Sequence, residues 1–398
     1  MNATSKSADF AMLAKTLFGL EEILAAELEE LGAKDIELLN RAITYRGGRE
    51  LLYRSNLCLR TATRILQPLS TFTAPNEDAL YKAVSRIDWT RYLNSEMSLA
   101  IDPVVSGNIF KHSLYVAQKA KDAIVDQFRG KDLGRPSVDL ECPDLRINLH
   151  IAGSRATLSL DSSGDPLSRR GYRIEGGEAP LSEALAAGIV ILSAWDKTTP
   201  FVDPMCGSGT LPIEAALIGA NIAPGTLGRS FAFQKWNGFD SELYNSILSE
   251  LKKSVNLSAL PVIVGSDINK TRIDEARRNS ARAGLEEVIK FTVSDLAKQT
   301  PPSAPGTMIV NPPYGDRLSD SDVTALYQLI GDTLKQKYDG YTAFVLTGNS
   351  MAAKSIGLRT SRKIKLFNGP TECRLLRFEM YKGSRKSKWE TLREEHSN

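Results

Sequence analysis

The sequence predicts an α/β protein whose doubly wound, mostly parallel sheet follows a smaller α+β region. Its 398 residues exceed the roughly 250–300 over which one hydrophobic core grows, so we expect at least two domains. From residue 166 onward, strands and helices alternate, as is typical of a parallel sheet covered on both faces. Three of these strands end in an acid, and a glycine turn follows the first of them.

Composition excludes several other classes of protein. Apolar residues at 42% and charged residues at 24% are ordinary for a globular protein and argue against disorder, collagen-like repeats and coiled coils. No stretch reaches the roughly 18 uninterrupted apolar residues of a membrane span, so we expect a cytoplasmic protein. With three histidines and four cysteines that form no CxxC pair, we expect no metal site.

The N-terminal region predicts short α and β units. We expect helices over Leu20–Leu31 and Glu50–Leu57, one strand over Ile36–Tyr45, helical spacing at Ala79–Trp89 and Leu114–Phe128, and strands at Val138–Leu140, Arg146–Leu149 and Ala156–Leu160. Turn residues at Ser162–Pro166 then mark the first domain boundary.

The second region predicts the alternating elements in a clear order. We expect a helix from Pro180 or Ser182 to Trp195, a strand in PFVD, a helix over Leu211–Gly219, a strand in PVIVGSD, a helix over Arg272–Ala283, strands in IKFTVSD and TMIVNPP, a helix over Ala325–Lys337, a strand in YTAFVLTG, and a closing pair in KIKLFN and CRLLRFEMY.

A turn through Gly207 and Gly209 leads from Asp203 into a helix, where backbone amides can hold a nucleotide-like ligand. A dinucleotide fingerprint would have glycine or alanine where Pro212 stands. It would also place a ribose-binding acid about 20 residues on, whereas Asp267 lies 60 residues beyond Gly207. A nicotinamide cofactor therefore fits poorly.

Asp203, Asp267 and Asp295 each end a predicted strand, and the carboxyl ends of parallel strands face one crevice. This set suits S-adenosylmethionine, with Asp203 near the methionine amino group, Asp267 on the ribose hydroxyls and Asp295 on the adenine amine. Any one acid alone would more often be a turn residue, but the set and the glycine turn together favour the pocket. The expected cofactor-binding residues are Asp203, Cys206, Gly207, Ser208, Gly209, Thr210, Asp267, Ile268, Asp295, Leu296 and Asn311.

The segment Asn311-Pro312-Pro313-Tyr314 supplies an acceptor, a rigid backbone and an aromatic ring. The amine of a nucleobase is a poor nucleophile, so its methylation requires that the amine be held against the methyl group. The Asn311 side-chain carbonyl and the Pro312 backbone carbonyl can each accept one N–H, and Tyr314 can stack on the base. We expect Asn311, Pro312, Pro313 and Tyr314 to be catalytic. Alone, the segment is only moderately specific, and a strand-ending turn is the alternative.

Taken in order, these motifs resemble the catalytic domain of THUMP-containing RNA methyltransferases, and most closely the 23S rRNA guanine-N2 methyltransferase family. The resemblance rests on LSLDSSGDPLSRRGYR, APLSEALAAGIV, DPMCGSGTLPIEAA, NIAPG, FAFQKW and NPPYGDRL. It covers residues 166–381 and matches the N-terminal methylase half of the RlmKL fusion protein. The second methylase of the bifunctional members does not follow within these 398 residues.

The resemblance implies a Rossmann-like class I methyltransferase domain preceded by an α+β ferredoxin-like and THUMP RNA-binding region. The expected division is a ferredoxin-like region over 1–56, a THUMP domain over 57–165, the methyltransferase over 166–383 and a flexible basic tail over 384–398. The aromatic residues of FAFQKW explain the long gap before Asp267 as an insertion, and they are more typical of an internal core than of a base platform.

The net charge of +3 is too small to indicate a nucleic-acid partner, but its distribution is uneven. Residues 1–165 contain 20 basic and 22 acidic residues, whereas residues 359–388 contain 10 basic and 2 acidic residues, a net charge of +8. The expected RNA-contacting residues are Arg169, Arg170, Arg173, Lys382, Arg385 and Lys386. For the first three, the donor carboxylate or a solvated linker is an alternative, and for the others a solvated tail.

We therefore expect direct methylation of a guanine exocyclic amine in 23S ribosomal RNA, without covalent catalysis. Three alternatives stay open: a transfer RNA guanine methyltransferase, a DNA adenine methylase, and a ribosome-assembly factor whose RNA binding matters more than its chemistry. We expect structured RNA as partner, no membrane, and a monomer, although the sequence leaves the oligomeric state open.

Overall fold

The computed structural model describes residues 8–173, 181–313 and 320–381. They divide into two compact units, neither of which is a single stretch of chain. The first contains the described residues of Met1–Thr16, Leu20–Ser168 and Pro224–Lys253. The second contains those of Leu17–Gly19, Arg169–Ala223 and Ser254–Asn398.

The regular elements follow one another as expected for an α/β chain. The strands are β1 (Phe10–Thr16), β2 (Lys34–Leu39), β3 (Ala42–Gly47), β4 (Ala62–Thr73), β5 (Ser98–Ser106), β6 (Ser137–Val138), β7 (Leu145–Ala152), β8 (Arg155–Asp161), β9 (Phe201–Asp203), β10 (Ile263–Asp267), β11 (Ile289–Val293), β12 (Gly306–Val310), β13 (Tyr341–Thr347), β14 (Arg362–Asn368) and β15 (Thr371–Glu379). The helices are α1 (Glu21–Glu30), α2 (Arg49–Cys58), α3 (Glu77–Ser85), α4 (Ser113–Gly130), α5 (Glu183–Leu192), α6 (Thr210–Gly219), α7 (Ser241–Lys253), α8 (Lys270–Arg282) and α9 (Asp320–Lys337).

The described strands of the first unit form one sheet in the order β2-β3-β1-β4-β8-β7-β5-β6. It is antiparallel except where β5 pairs in parallel with β7 and β6. Helices α3 and α4 pack over its second half, and the buried Trp89 joins their apolar core. Helices α1 and α2 contribute to a separate core with β1 and β3.

The insertion at Pro224–Lys253 lies in the first unit and completes the core around α2. Phe233 stacks on Tyr53 with ring centroids 4.6 Å apart, and Phe231 stacks on Phe233 at 5.3 Å. Tyr244 and Ile247 of α7 are buried in the same cluster. The aromatic residues are therefore an internal core, as expected, although the sequence did not indicate that this core belongs to the N-terminal unit.

One predicted strand of the first unit is wrong. The single strand expected over Ile36–Tyr45 is a hairpin of β2 and β3, because the chain turns at Arg41, whose φ is +58°. The sequence lacks the usual hairpin signal of Asn-Gly or Asp-Gly at this turn. A positive φ is also uncommon for arginine, so the turn could not be recognised from the sequence.

The described strands of the second unit form a sheet in the order β11-β10-β9-β12-β13-β15-β14. Strands β9 to β13 are mutually parallel, and β15 and β14 are antiparallel additions. From β9 the chain adds strands first toward β11 and later toward β13, so the strand order reverses between β9 and β12. Ligands of open α/β sheets bind at such a reversal, outside the carboxyl ends of the strands.

The expected α/β class is confirmed: a doubly wound sheet follows an α+β region along the chain. Ser182 caps α5 by accepting a hydrogen bond from the Leu185 N–H, while Pro180 lies outside the described residues. No helix in the described ranges is both long enough and apolar enough to cross a lipid bilayer.

Candidate active site

The expected site residues converge at the carboxyl edge of the second sheet. Asp203 and Asp267 are the last residues of the adjacent strands β9 and β10, and Asn311 directly follows β12. Asp295 follows β11 by two residues. Because these four strands are neighbours in one parallel sheet, the four side chains border the same crevice.

The turn after β9 depends on two glycines with left-handed backbone. Gly207 has φ +52° and Gly209 has φ +83°, a backbone conformation that residues other than glycine seldom adopt. A Cβ added to Gly209 would lie 3.0 Å from the Phe291 ring and 3.0 Å from the Ala276 Cβ. A Cβ added to Gly207 would meet no atom within 4 Å. The turn is thus packed behind Gly209 and open at Gly207, where a ligand can approach the backbone.

Neighbouring strands and helices hold this turn in place. The Gly207 N–H donates to the Asp267 Oδ2 at 3.0 Å, and the Asn269 N–H donates to the Asp267 Oδ1 at 2.8 Å. The Asn279 side-chain amide on α8 donates to the Ser208 carbonyl at 3.0 Å. A carboxylate offers about four acceptor positions, so Asp267 can also accept hydroxyl groups of a ligand.

Asp203 is buried with 1% exposure and accepts a hydrogen bond from the Met205 N–H at 3.1 Å. Burial raises the pKa of this carboxyl well above its usual range, and the negative charge of Asp267 raises that pKa further. A cation bound beside Asp203 would offset both effects. The carboxyl is therefore suited to receive an ammonium group.

Cys206 belongs to the turn after β9, at the edge of this crevice, and its side chain is buried. Burial raises the pKa of the thiol well above its usual range, and the charges of Asp203 and Asp267 add to this rise. Only the thiolate is an effective nucleophile, so Cys206 is poorly suited to covalent catalysis.

Toward β11, the site offers apolar contacts and a further acid. Ile268, next to Asp267, is 71% exposed, so its side chain is accessible to a ligand. Asp295 accepts a hydrogen bond from the Ala297 N–H at 2.8 Å, and Leu296 between them is buried. An exposed aliphatic side chain between two acids can cover a flat, polar-edged ring such as adenine.

Asn311 holds the acceptor that the sequence predicts. Its side-chain Oδ1 is buried, and no donor among the described residues reaches it. Pro312 is buried and Pro313 is half-buried, so the backbone after Asn311 is confined. Tyr314 lies outside the described residues. A buried acceptor without a partner costs free energy in the folded protein unless a ligand satisfies it.

Two of the arginines expected to contact RNA belong to the interior support of the site. Arg170 is 1% exposed, and its Nε lies 3.5 Å from the Glu214 carboxylate, which also accepts the Tyr172 hydroxyl at 3.0 Å. A phosphate cannot reach Arg170 there, so its predicted RNA contact is wrong in this structure. Arg169 is exposed, whereas Lys382, Arg385 and Lys386 lie outside the described residues.

Arg173 links three parts of the second unit. It donates to the Thr210 hydroxyl at 3.0 Å and to the Leu181 carbonyl at 2.7 Å, and it pairs with Glu183 at 3.3 Å. Thr210 begins α6 directly after the glycine turn. These contacts fix the start of that helix and leave little of Arg173 for RNA. Sequence reasoning did not find this role, nor those of Glu214 and Asn279, because the contacts span residues with no local pattern.

Comparisons with known proteins agree with this geometry. A family model described as the RMKL-like methyltransferase domain matches residues 170–377, which is more than half of the chain. The chain belongs to the RMKL-like methyltransferase family. A THUMP domain model matches residues 74–161, and a model of the RlmL ferredoxin-like domain matches residues 11–66. The predicted family and both N-terminal modules are confirmed.

Curated relatives of this methyltransferase family cover most of the chain. A protein of Synechocystis sp., named provisionally as an RNA methyltransferase, is 42% identical over 94% of this chain and 96% of its own length. The ribosomal RNA large subunit methyltransferase K/L of Methylococcus capsulatus is 43% identical over 91% of this chain. This chain spans only 50% of that relative's length.

Solved structures show the same fold. A crystal structure assigned as a methyltransferase and complexed with SAH has a TM-score of 0.86 at 31% identity, covering 96% of this chain and 100% of that one. The structure of a Listeria monocytogenes protein named as a predicted N6-adenine-specific DNA methylase has a TM-score of 0.84 at 30% identity, covering 94% of this chain and 97% of that one. TrmN of Thermus thermophilus, at 21% identity and a TM-score of 0.66 over 94% of this chain and 100% of that one, shares the fold.

Within the described ranges, no group of three or more histidine, cysteine, aspartate or glutamate side chains is arranged to hold an ion.

Proposed function

We propose that the protein transfers a methyl group from S-adenosylmethionine to the exocyclic N2 amine of a guanine in 23S ribosomal RNA. The observation that carries this proposal is the buried Oδ1 of Asn311, which no donor among the described residues reaches; it lies at the strand-order reversal, on the same sheet edge as Asp203 and Asp267. A protein retains an unsatisfied buried acceptor at a cost, and an incoming amine would satisfy it.

Asn311 and Pro312 would orient the acceptor amine. The amine lone pair is delocalised into the base, so the free amine attacks carbon slowly. When the Asn311 side-chain carbonyl and the Pro312 backbone carbonyl each accept one N–H, the nitrogen is held with its lone pair toward the methyl group. The confined Pro312 and Pro313 keep both acceptors aimed, and we propose that Tyr314 stacks on the base.

The donor would lie along the carboxyl ends of β9, β10 and β11. When bound, S-adenosylmethionine supplies an electrophilic methyl group on a sulfonium centre. Asp203 would receive its ammonium group, Asp267 its ribose hydroxyls, and Asp295 its adenine amine, with Ile268 and Leu296 against the adenine ring. The main-chain groups of Cys206, Gly207, Ser208, Gly209 and Thr210 would border the donor. The related structure complexed with SAH supports this choice of donor.

We infer that the transfer is direct. The raised pKa of the Cys206 thiol disfavours a covalent intermediate at the one cysteine that borders the crevice among the described residues. After methylation the nitrogen is cationic and acidic, and its extra proton would pass to water. Positioning and desolvation would therefore provide most of the rate enhancement.

The substrate assignment rests on the relatives and the THUMP match. The K/L relatives are named for the large ribosomal subunit RNA, which supports a 23S substrate. The cytoplasmic location, the monomeric state and the domain boundaries after residues 56, 165 and 383 belong to the same proposal. So does an RNA contact by the exposed Arg169 and by Lys382, Arg385 and Lys386.

Methyl transfer from labelled S-adenosylmethionine tests this proposal. The protein is incubated with protein-free 23S rRNA, 16S rRNA, bulk tRNA or DNA, and the digested nucleosides are separated by mass spectrometry. N2-methylguanosine from 23S rRNA alone is the expected result. Methylguanosine from tRNA alone would show that the substrate is tRNA, and methyladenine from DNA would show that it is DNA.

An assembled precursor of the large subunit serves as a further substrate in the same assay. Label that appears only in this particle would keep the chemistry and change the form of the substrate. If the protein binds S-adenosylmethionine but labels none of these substrates, the proposed function is wrong.

A further inference from the structure

The two strands that close the second sheet carry a concentrated basic surface. Lys365 on β14 lies directly opposite Arg374 on β15, and Lys363 lies opposite Leu376. Residues opposite each other in an antiparallel pair share a face, and alternate residues along a strand do so too. Lys363, Lys365 and Arg374 therefore share one face of the sheet, and all three are exposed. We call these three residues the basic rim.

The described acidic side chains neutralise the basic rim only in part. Lys365 pairs with Glu372 at 2.8 Å, and its Nζ lies 5.4 Å from the centre of the Phe367 ring. Lys363 and Arg374, in contrast, have no acidic side chain within salt-bridge distance in the described part of the chain. The charge of Glu372 thus acts on Lys365 and Arg374, and the three exposed cations keep a net positive charge for an anionic partner.

The sheet places the basic rim at the level of the active site. Arg374 pairs in register with Thr347 at the carboxyl end of β13, and Val310 pairs with Val345 two residues earlier on that strand. Only β13 separates β15 from β12, and strands in a sheet lie about 4.8 Å apart. Arg374 therefore belongs to a strand about 10 Å from the strand that leads into Asn311.

Protection of a sheet edge does not explain this arrangement. Lysines on an edge strand prevent pairing with other chains, and β14 is such a strand. Arg374, however, is on β15, which is paired on both sides. Like charges directly opposite each other destabilise a sheet, so the Lys365 and Arg374 pair has a structural cost that edge protection does not require.

We infer that the basic rim binds the phosphate backbone of the RNA substrate beside the nucleotide that is methylated. This inference rests on the proposed function for the presence of RNA at the site, and it adds where the RNA backbone lies. Positive side chains that neutralise phosphates supply affinity without reading sequence, and they make binding depend on salt.

The double variant K363A/R374A tests the inference. RNA affinity is measured by fluorescence anisotropy with a 23S rRNA fragment from about 50 to 200 mM salt, a range over which phosphate contacts weaken strongly. The matched control is R278A/R282A, which removes two exposed arginines from α8 in the same unit. Calorimetric titration with S-adenosylmethionine verifies that both variants keep a folded donor site.

We expect K363A/R374A to bind RNA about tenfold or more weakly, with a salt dependence reduced by about 1.4 to 1.8 in the slope of log K against log salt. The control keeps the wild-type slope, and both variants bind S-adenosylmethionine as the wild type does. A wild-type slope in K363A/R374A, an equal loss in the control, or self-association of K363A/R374A with unchanged RNA binding would overturn the inference.

Binding and chemistry are measured separately, so the two proposals can fail separately. If the wild-type protein binds RNA through the basic rim but methylates none, the proposed function is refuted and the inferred RNA-binding role of the basic rim stands. Protein that methylates 23S rRNA with affinity independent of the basic rim would refute only the inference.

Discussion

Asn311 directly follows β12, and no described neighbour donates a hydrogen bond to its side-chain carbonyl oxygen; this single atom has the largest predicted effect on catalysis. In the variant N311A the amine loses one of its two acceptors. We expect turnover to fall by about 100-fold or more, since misplacement of a reacting group by an ångström can cost that much. Single-turnover methylation measures this loss.

The control for N311A is binding of S-adenosylmethionine, which should change little because the acids and the glycine turn stay in place. A variant that turns over like the wild type would remove Asn311 from the reaction. A variant that loses donor affinity but keeps its rate would make Asn311 a donor-binding residue.

Asp203 provides a prediction that depends on pH. Its pKa in the folded protein is raised, so the folded state holds this proton more tightly than the unfolded state does. Asp203 therefore lowers stability at a pH above its unfolded pKa, and stability rises as the pH falls through the raised pKa. The variant D203N removes this penalty, so we expect the free protein to have a higher unfolding temperature at neutral pH.

Donor binding should change in the opposite direction. An ammonium group requires the ionised carboxylate, so wild-type affinity for S-adenosylmethionine is highest above the raised pKa and falls as the pH is lowered through it. We expect D203N to bind the donor about 10- to 100-fold more weakly, since a hydrogen bond to a charged group contributes about 1.5–3 kcal/mol. Calorimetry across pH checks both trends; a wild-type affinity independent of pH would contradict them.

At this scale the sequence identified the residues that border the crevice but misjudged Arg170. Acids after strands and an asparagine before prolines are local patterns, and the parallel sheet brings such patterns to one edge. The burial of Arg170 against Glu214 depends on residues more than 40 positions apart, which no local pattern reports.

Among the elements, the glycine turn separates stability from binding. In G209A, a side chain must adopt φ +83° and contact the Phe291 ring at 3.0 Å, so we expect the second unit to lose about 1–3 kcal/mol of stability. In G207A the added Cβ meets no protein atom within 4 Å, so we expect a smaller loss of stability. We expect weaker donor binding, because the added methyl group occupies the space through which the donor approaches the backbone. Thermal unfolding and calorimetry of both variants distinguish the two effects.

The inserted segment provides a second prediction for an element. Phe233 packs against Tyr53 and Phe231 in the core of the first unit, so F233A should cost about 3–5 kcal/mol. Hydrogen exchange should show faster exchange in α2 and α7, while the sheet from β9 to β13 keeps its protection. The variant F233L is the control with a smaller cavity. Loss of protection only in the second unit would contradict the assignment of this segment.

Several elements could not be recognised because their sequence signals conflict. Strand β4 lies in the centre of its sheet yet contains Pro68, and the register shift between Pro68 and Ser70 accommodates the missing N–H. Strand β5 contains Pro103, and β1 lies in an apolar run without alternation. Helix α7 is different: it was not predicted, although the helical spacing of Leu243, Tyr244, Ile247, Leu248 and Leu251 indicates it.

For the whole molecule, the uneven charge predicts how salt affects activity. The excess of basic residues lies in the segment 359–388, whereas residues 1–165 carry slightly more acidic than basic residues. We expect the KM for RNA to rise steeply between about 50 and 200 mM salt, because released counterions favour binding at low salt. The Kd for S-adenosylmethionine should change much less, because buried charges are screened weakly. Equal salt dependence of both constants would contradict this prediction.

The path of the chain also has a consequence for its synthesis on the ribosome. Domains usually fold from the N-terminus onward as they emerge. Here the core around α2 requires Phe231, Phe233, Tyr244 and Ile247, which are translated only after strand β9 and helix α6 of the other unit. A nascent chain that ends at Ser168 lacks these residues. We therefore expect this core to fold only after residue 253 has left the exit tunnel. Folding of the first unit thus requires a segment that is translated after part of the second unit.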